Sequence, residues 1–116
     1  MKRRRGLAGI ALGWLLVSSV ALGCGRFSFS AKEREAYLAE GQRVFAAKNC
    51  QGCHTIGPVG TPIAPDLRET AARYTEAALA RWLRNPSAQV PTRHMPDLHL
   101  SEAEANAVAA YIASLR

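Results

Sequence analysis

The sequence predicts a small all-α domain of three to four helices. Apolar residues recur at three-to-four-residue spacing in three separate segments, and no segment shows the strict alternation of a half-buried strand. The chain has 116 residues, which sets an upper limit of one domain. Its composition, 48% hydrophobic and 21% charged, is that of a globular protein and argues against a disordered or fibrous chain.

The first helix is predicted over residues 31–48. Apolar residues lie on one face at helical spacing, while the charged residues lie off that face, which is the pattern of a helix packed on a core. The apolar face consists of Tyr37, Leu38, Gly41, Val44 and Phe45.

Two further helices are predicted from their end signals. One starts after Thr75, whose hydroxyl can cap its first turn, and is ended by the pair Asn85 and Pro86. The other starts at Ser101, which forms a capping box with Glu104. Each carries an apolar face, formed by Ala78, Leu79, Trp82 and Leu83 in one and by Ala105, Val108, Tyr111, Ile112 and Leu115 in the other.

Two long segments between these helices are predicted as loops. Glycines and prolines interrupt residues 49–66, apart from one turn of helix at residues 50–54, and residues 91–100 are again irregular. A domain of this size buries only about 60–65% of its unfolded surface, and long loops need something to pack around. A large apolar cofactor would meet both needs.

Residues 1–23 have the pattern of a secretory signal peptide, in which basic residues precede an uncharged apolar run. Residues 21–24 resemble a bacterial lipoprotein box, which predicts lipidation of Cys24 and a short tether over residues 24–30. An uncleaved membrane anchor and simple secretion are the alternatives. All three place the predicted domain, residues 31–116, outside the cytoplasm, and the first two hold it on the periplasmic side of a bacterial membrane.

The basic charge belongs mainly to this leader. Four of the fifteen basic residues lie at positions 2–5, so that 11 basic residues remain against 9 acidic ones in the rest of the chain. A balance of about +2 is too small for a surface that binds nucleic acid. Lipidation of Cys24 would also explain the odd number of cysteines, because Cys50 and Cys53 form a close pair.

Cys50-Gln51-Gly52-Cys53-His54 is the C-x-x-C-H signature of covalent haem attachment. Within one helical turn Cys53 lies three residues and His54 four residues after Cys50. Both sulfurs can then bind the vinyl groups of one porphyrin, while the imidazole binds its iron. A zinc site would need four ligands, and a thioredoxin-like dithiol a strand before the helix; these and a plain disulfide are the weaker alternatives.

Met95 is the predicted second iron ligand. Met1 leaves with the leader, and Met95 is then the sole methionine, in a loop flanked by Pro91 and Pro96 that restricts its backbone. His94 and His99 are the alternatives by ligand chemistry. A methionine that merely fills a core would be expected on the apolar face of a helix rather than in a polar loop.

These motifs resemble those of class I c-type cytochromes over nearly the whole length after the leader. The pattern is closest to the small cytochrome c domains of haem–copper oxidase subunit II and to related lipoprotein cytochromes. The matching positions are Gly41, Phe45 and residues 50–56, 64–67, 82–86, 95–96 and 110–112. Ala64, where the family usually has glycine, and Pro91-Thr92, where it has Pro-Gly, depart from the pattern.

The resemblance implies an arrangement of the fold and the site. N- and C-terminal helices would cross at Gly41, Phe45 and Tyr111. The Pro65 carbonyl would accept a hydrogen bond from His54 Nδ1 and so orient the imidazole. Trp82 and Arg73 would lie near the haem propionates; a core aromatic ring and a solvated charge are their alternative interpretations.

The function predicted from this pattern is one-electron transfer by a single covalent haem c with His54 and Met95 as iron ligands. Such an iron has no vacant site for a substrate, so we expect a carrier rather than an enzyme, with redox proteins as partners and no small-molecule substrate. A haem-bearing subunit of a larger oxidase or dehydrogenase is one alternative. A haem peroxidase or a ligand sensor, which would need an open iron site, is another.

Overall fold

The computed structural model describes residues 29–89 and 94–116. The predicted leader, Cys24 and the segment around Pro91-Thr92 lie outside these residues. The helices are α1 (Ala31–Ala47), α2 (Leu67–Arg73), α3 (Glu76–Arg84), α4 (Pro86–Gln89) and α5 (Glu102–Ala113), with a 3₁₀ turn at Cys50–Gly52 and two short strands, β1 (Thr55–Ile56) and β2 (Val59–Gly60).

The predicted helix starts are confirmed by their caps. Ser30 and Glu33 form a capping box at the start of α1, and Ser101 and Glu104 form another at the start of α5. Thr75 Oγ1 accepts a hydrogen bond of 3.2 Å from the Ala78 amide at the start of α3. These caps satisfy backbone donors that have no partner within the helix, and thereby fix where each helix begins.

Two helices and the strands were not predicted from the sequence. Helix α2 has seven residues, too few to show an apolar period, and begins where the Asp66 side chain accepts from the Arg68 amide. Helix α4 begins at Pro86, which lacks an N–H that would have no partner at this position. The strands have two residues each, too few for a visible alternation, and pair as an antiparallel hairpin.

Helices α1 and α5 cross in close contact, as the resemblance implied. Gly41 is buried at the crossing, where a Cβ atom would lie only 2.1 Å from the Ala107 carbonyl oxygen. Next to it, the rings of Phe45 and Tyr111 meet edge to face with centroids 5.3 Å apart. The absence of a side chain at position 41 is therefore what allows the two backbones to approach each other.

The core lies between α1, α2, α3 and α5 and is thin. Alanines contribute many of its buried side chains, and small side chains add little apolar area. The larger buried members are Val44, Phe45, Leu67, Leu79, Leu83, Val108 and Ile112. Within the described part of the chain, no helix is long and apolar enough to span a membrane.

Candidate functional site

A cavity of about 780 Å³ opens beside this core. Its volume lies within the range of about 300–1,000 Å³ that is typical of small-molecule and cofactor sites. The six residues that the sequence assigned to cofactor binding all line it: Cys50, Cys53, His54, Pro65, Trp82 and Met95. The fold therefore brings together in one place side chains that lie up to 45 residues apart in the sequence.

One wall of the cavity is the core itself. Phe45, Leu67, Leu79, Leu83 and Ile112 are buried residues that also line the cavity. An apolar group bound here would extend the core rather than occupy a separate pocket, because its surface would pack on the same side chains.

The residues from Cys50 to His54 form the compact turn that the motif predicted. Asn49, two residues after the end of α1, has a φ of 53° and so lies in the left-handed region, where the helix cannot continue. The Cys50 carbonyl then accepts hydrogen bonds from the amides of Cys53 (3.3 Å) and His54 (3.0 Å). This backbone holds the three chemically active side chains within a single turn.

No disulfide joins the two cysteines of this turn. Cys50 is half-buried and Cys53 is exposed at the edge of the cavity. Burial raises the pKa of the Cys50 thiol, since the thiolate would lose hydration there. The polypeptide by itself therefore favours the uncharged thiol at Cys50, in keeping with an apolar site.

The His54 ring is oriented by a backbone carbonyl. Its Nδ1 atom lies 2.8 Å from the Pro65 oxygen, so the hydrogen bond that the resemblance implied is present. A carbonyl oxygen only accepts, and Nδ1 must therefore carry the proton. The neutral ring then has its free lone pair on Nε2, which is the atom left to bind a metal.

The Pro65 carbonyl is itself held by its neighbours. The Asp66 carboxylate accepts hydrogen bonds from the amides of Arg68 (2.8 Å) and Gly57 (2.9 Å), and these bonds lower the pKa of Asp66. Ala64 donates its amide to the Cys53 carbonyl at 2.8 Å. The positioning role of Asp66 was not predicted, although its place before an apolar residue is a helix-capping signal.

Two backbone features allow the loop after His54, residues 55–66, to lie close to the Cys50–His54 turn. Ala64 is not among the positive-φ residues of the described chain, so an alanine fits where the family has glycine. Gly60 has a φ of 111°, and a Cβ there would lie 2.2 Å from the His54 carbonyl oxygen. Further hydrogen bonds run from the amides of Thr61 to the Gln51 carbonyl and of Ile63 to the Cys53 carbonyl.

Met95 is the candidate second ligand that the structure places best. It is half-buried, packs against the core and lines the cavity. His94 also lines the cavity but is exposed. His99 is not among the lining residues, and its side chain is 86% exposed with Nδ1 3.6 Å from Asp97.

Of the two residues expected near the propionates, the structure places only Trp82 in the cavity wall. Its ring lies beside that of Tyr74, which also lines the cavity, with centroids 6.5 Å apart. Arg73 is not among the lining residues, and its guanidinium lies 3.9 Å from Glu69 on the surface. For Arg73 the interpretation as a solvated charge is therefore the better one.

The cytochrome c family model matches residues 38–116. This range is most of the chain and contains Cys50, Cys53, His54 and Met95. The chain therefore belongs to the cytochrome c family, and as a small domain of that family it binds one covalent haem c. No solved structure matches the chain significantly.

The residues of the cavity fit this cofactor. Two thiols and an imidazole with a free Nε2 stand on one turn, and an apolar wall adjoins them. No group of three or more histidine, cysteine, aspartate or glutamate side chains suited to a metal ion occurs within residues 29–89 and 94–116, which leaves the zinc alternative without a ligand set there. Family membership implies haem-based electron transfer.

Proposed function

We propose that the protein carries single electrons, with a haem held covalently by Cys50 and Cys53 and ligated by His54 and Met95. The observation that carries this proposal is that one apolar cavity is lined by both thiols, by an imidazole with fixed tautomer and by a half-buried thioether. Haem bound in this way supplies an iron that gains and loses one electron, and methionine ligation raises its reduction potential.

Contacts within this chain restrict the two proposed iron ligands, His54 and Met95. The hydrogen bond from His54 Nδ1 to the Pro65 carbonyl holds the imidazole in one orientation. Packing of Met95 against the core limits the movement of the thioether. With both His54 and Met95 bound to the iron, no position would be left for a substrate, which favours a carrier over the peroxidase and sensor alternatives.

Replacing Met95 tests this ligation. The wild-type ferric protein should show the weak near-infrared charge-transfer band of thioether-to-iron ligation, and Met95→Ala should abolish it, because the described residues offer no second thioether. The variant should also have a lower reduction potential and should bind carbon monoxide when reduced, which the wild type should not.

His99→Ala is the matched control, because His99 is a ligand by chemistry that lies outside the cavity lining. It should keep the band, the potential and the resistance to carbon monoxide. Bis-histidine spectra in the wild type, or survival of the band in Met95→Ala, would assign the second ligand to another residue. Carbon monoxide binding by the wild type would instead favour the peroxidase or sensor.

We further propose that the domain is tethered to the outer, periplasmic face of a bacterial membrane through a lipid on Cys24. The support is the signal-like leader followed by a lipoprotein-type box. Several acyl chains give stable attachment where a single one gives only marginal binding. The tether is short, since six residues separate Cys24 from the first residue of α1.

Metabolic labelling tests this anchor. The wild-type chain should incorporate labelled fatty acid and sediment with membranes, whereas Cys24→Ser should lose the label and the lipoprotein-type cleavage. A wild-type protein that takes up no fatty acid and retains Met1 would show that the leader is an uncleaved anchor.

The partners proposed for this carrier are redox proteins of a respiratory chain, an oxidase or a dehydrogenase. The resemblance to cytochrome c domains of oxidase subunit II supports permanent attachment to such a complex as the second candidate. Mild detergent extraction followed by size-exclusion chromatography separates the two: a carrier elutes alone, and a subunit elutes with its complex.

A further inference from the structure

Lys48 links the side of the cavity that carries the cysteines to the loop that carries Met95, residues 94–100. It is the C-cap residue of α1, two positions before Cys50, and its ammonium Nζ donates a hydrogen bond of 3.1 Å to the Leu98 carbonyl. Lys48 and Leu98 are both half-buried and both line the cavity. A cation beside the cysteine-bearing turn thus holds the backbone of the loop that carries Met95.

This bond matters because the loop has few others. Across residues 94–100 the bond from Lys48 is the only hydrogen bond to another part of the described chain. The bond from the His99 amide to Asp97 lies within the loop. Otherwise the loop is held by apolar contacts, in which Met95 and Leu100 pack against the core.

Lys48 also has a structural role that must be separated from this one. A cation at the end of α1 interacts favourably with the helix dipole. The pKa of Glu104 is lowered mainly by its hydrogen bonds with Ser101, and the charge of Lys48 adds to this effect. Both effects act on the stability of the whole domain. Neither distinguishes a loop with Met95 at the cavity from a loop that has moved away.

We propose that Lys48 is a positioning residue for Met95, which keeps the thioether at the cavity by fixing the Leu98 carbonyl three residues further along. The inference rests on the proposed ligation by Met95. Without the ammonium donor, the loop loses its tie to α1, and the fraction of molecules in which Met95 has left the iron rises.

Imidazole binding to the ferric holoprotein measures this fraction. Imidazole takes the methionine position only when the loop is open, so its apparent affinity increases in proportion to the open fraction. Lys48→Met, which keeps the apolar stem but removes the donor, should bind imidazole more tightly by about tenfold or more, as expected for losing one hydrogen bond that involves a charged group. Lys48→Leu, which also lacks a donor, should behave in the same way.

Two variants serve as controls. Lys48→Arg retains a cationic donor and should stay within about twofold of the wild type. Lys32→Met removes an exposed charge at the other end of α1 and should do the same. Thermal unfolding followed by circular dichroism reports the structural role separately.

Wild-type imidazole affinity in Lys48→Met and Lys48→Leu would overturn the proposal, even if their melting temperatures fall. Equal tightening in Lys32→Met would overturn it too, because the effect would then be one of net charge. Absence of the thioether band from the wild type would instead refute the ligation by Met95, so the two failures are distinguishable.

Discussion

Replacing both motif cysteines, in the variant Cys50→Ala with Cys53→Ala, should leave a chain that does not fold cooperatively. The cavity of about 780 Å³ shares a wall with a thin core in which several of the buried side chains are alanines. Without a covalently held cofactor, nothing apolar would fill the cavity, and the core side chains that line it would lose those packing contacts. Native domains are stable by only about 5–15 kcal/mol, so the loss of such a large apolar contact should be decisive.

Expression in the periplasm, with haem staining and thermal melts followed by circular dichroism, measures this effect. The expected result is degraded or weakly helical protein without bound haem. Cys24→Ala, the same substitution outside the motif, should keep its haem and its melting transition. A stable double variant with a cooperative melt would mean that the polypeptide core is sufficient alone.

Gly41→Ala should destabilise the holoprotein by about 3 kcal/mol or more, which is beyond the usual cost of an overpacked core. The new Cβ would lie 2.1 Å from the Ala107 carbonyl oxygen and 2.9 Å from Tyr111 Cβ, so α1 and α5 must move apart. Helix propensity alone predicts the opposite sign, a gain of about 1 kcal/mol. The sign of the change in the free energy of unfolding therefore distinguishes steric overlap at the helix crossing from helix propensity.

Denaturant unfolding gives this free energy. The reverse change on the exposed face of the same helix, Ala39→Gly, controls for propensity and should cost about 1 kcal/mol. If Gly41→Ala unfolds at the same or a higher denaturant concentration than the wild type, the helix crossing does not depend on the absence of a side chain.

The sequence signals that predicted this fold were local ones. Capping residues such as Ser101 and Thr75 act within a single turn, and the helices that they start are confirmed. Helix α2 escaped prediction because its seven residues bury only Leu67 and Ala71, which form no visible period. The hairpin strands escaped for the same reason, since two residues cannot alternate.

The site also has parts that the sequence predicts and parts that it does not. The haem signature and the thioether of Met95 are recognisable from their chemistry, and the structure places them around one cavity. The contacts that hold them are long-range: Lys48 and Leu98 are 50 residues apart, and neither carries a motif. Such pairs depend on how the helices pack, which no local pattern encodes.

Apart from the bond between His54 Nδ1 and the Pro65 carbonyl, the hydrogen bonds that join the loop after His54 to the Cys50–His54 turn run between backbone atoms. Side chains along this loop are consequently free to change where they face solvent, as that of Val59 does at 58% exposure. The length of the loop is not free, since one added residue would shift every donor from its acceptor. This stretch is thus a part of the surface beside the haem attachment site whose charge and apolar character natural variation or engineering can alter while the His54 imidazole keeps its orientation.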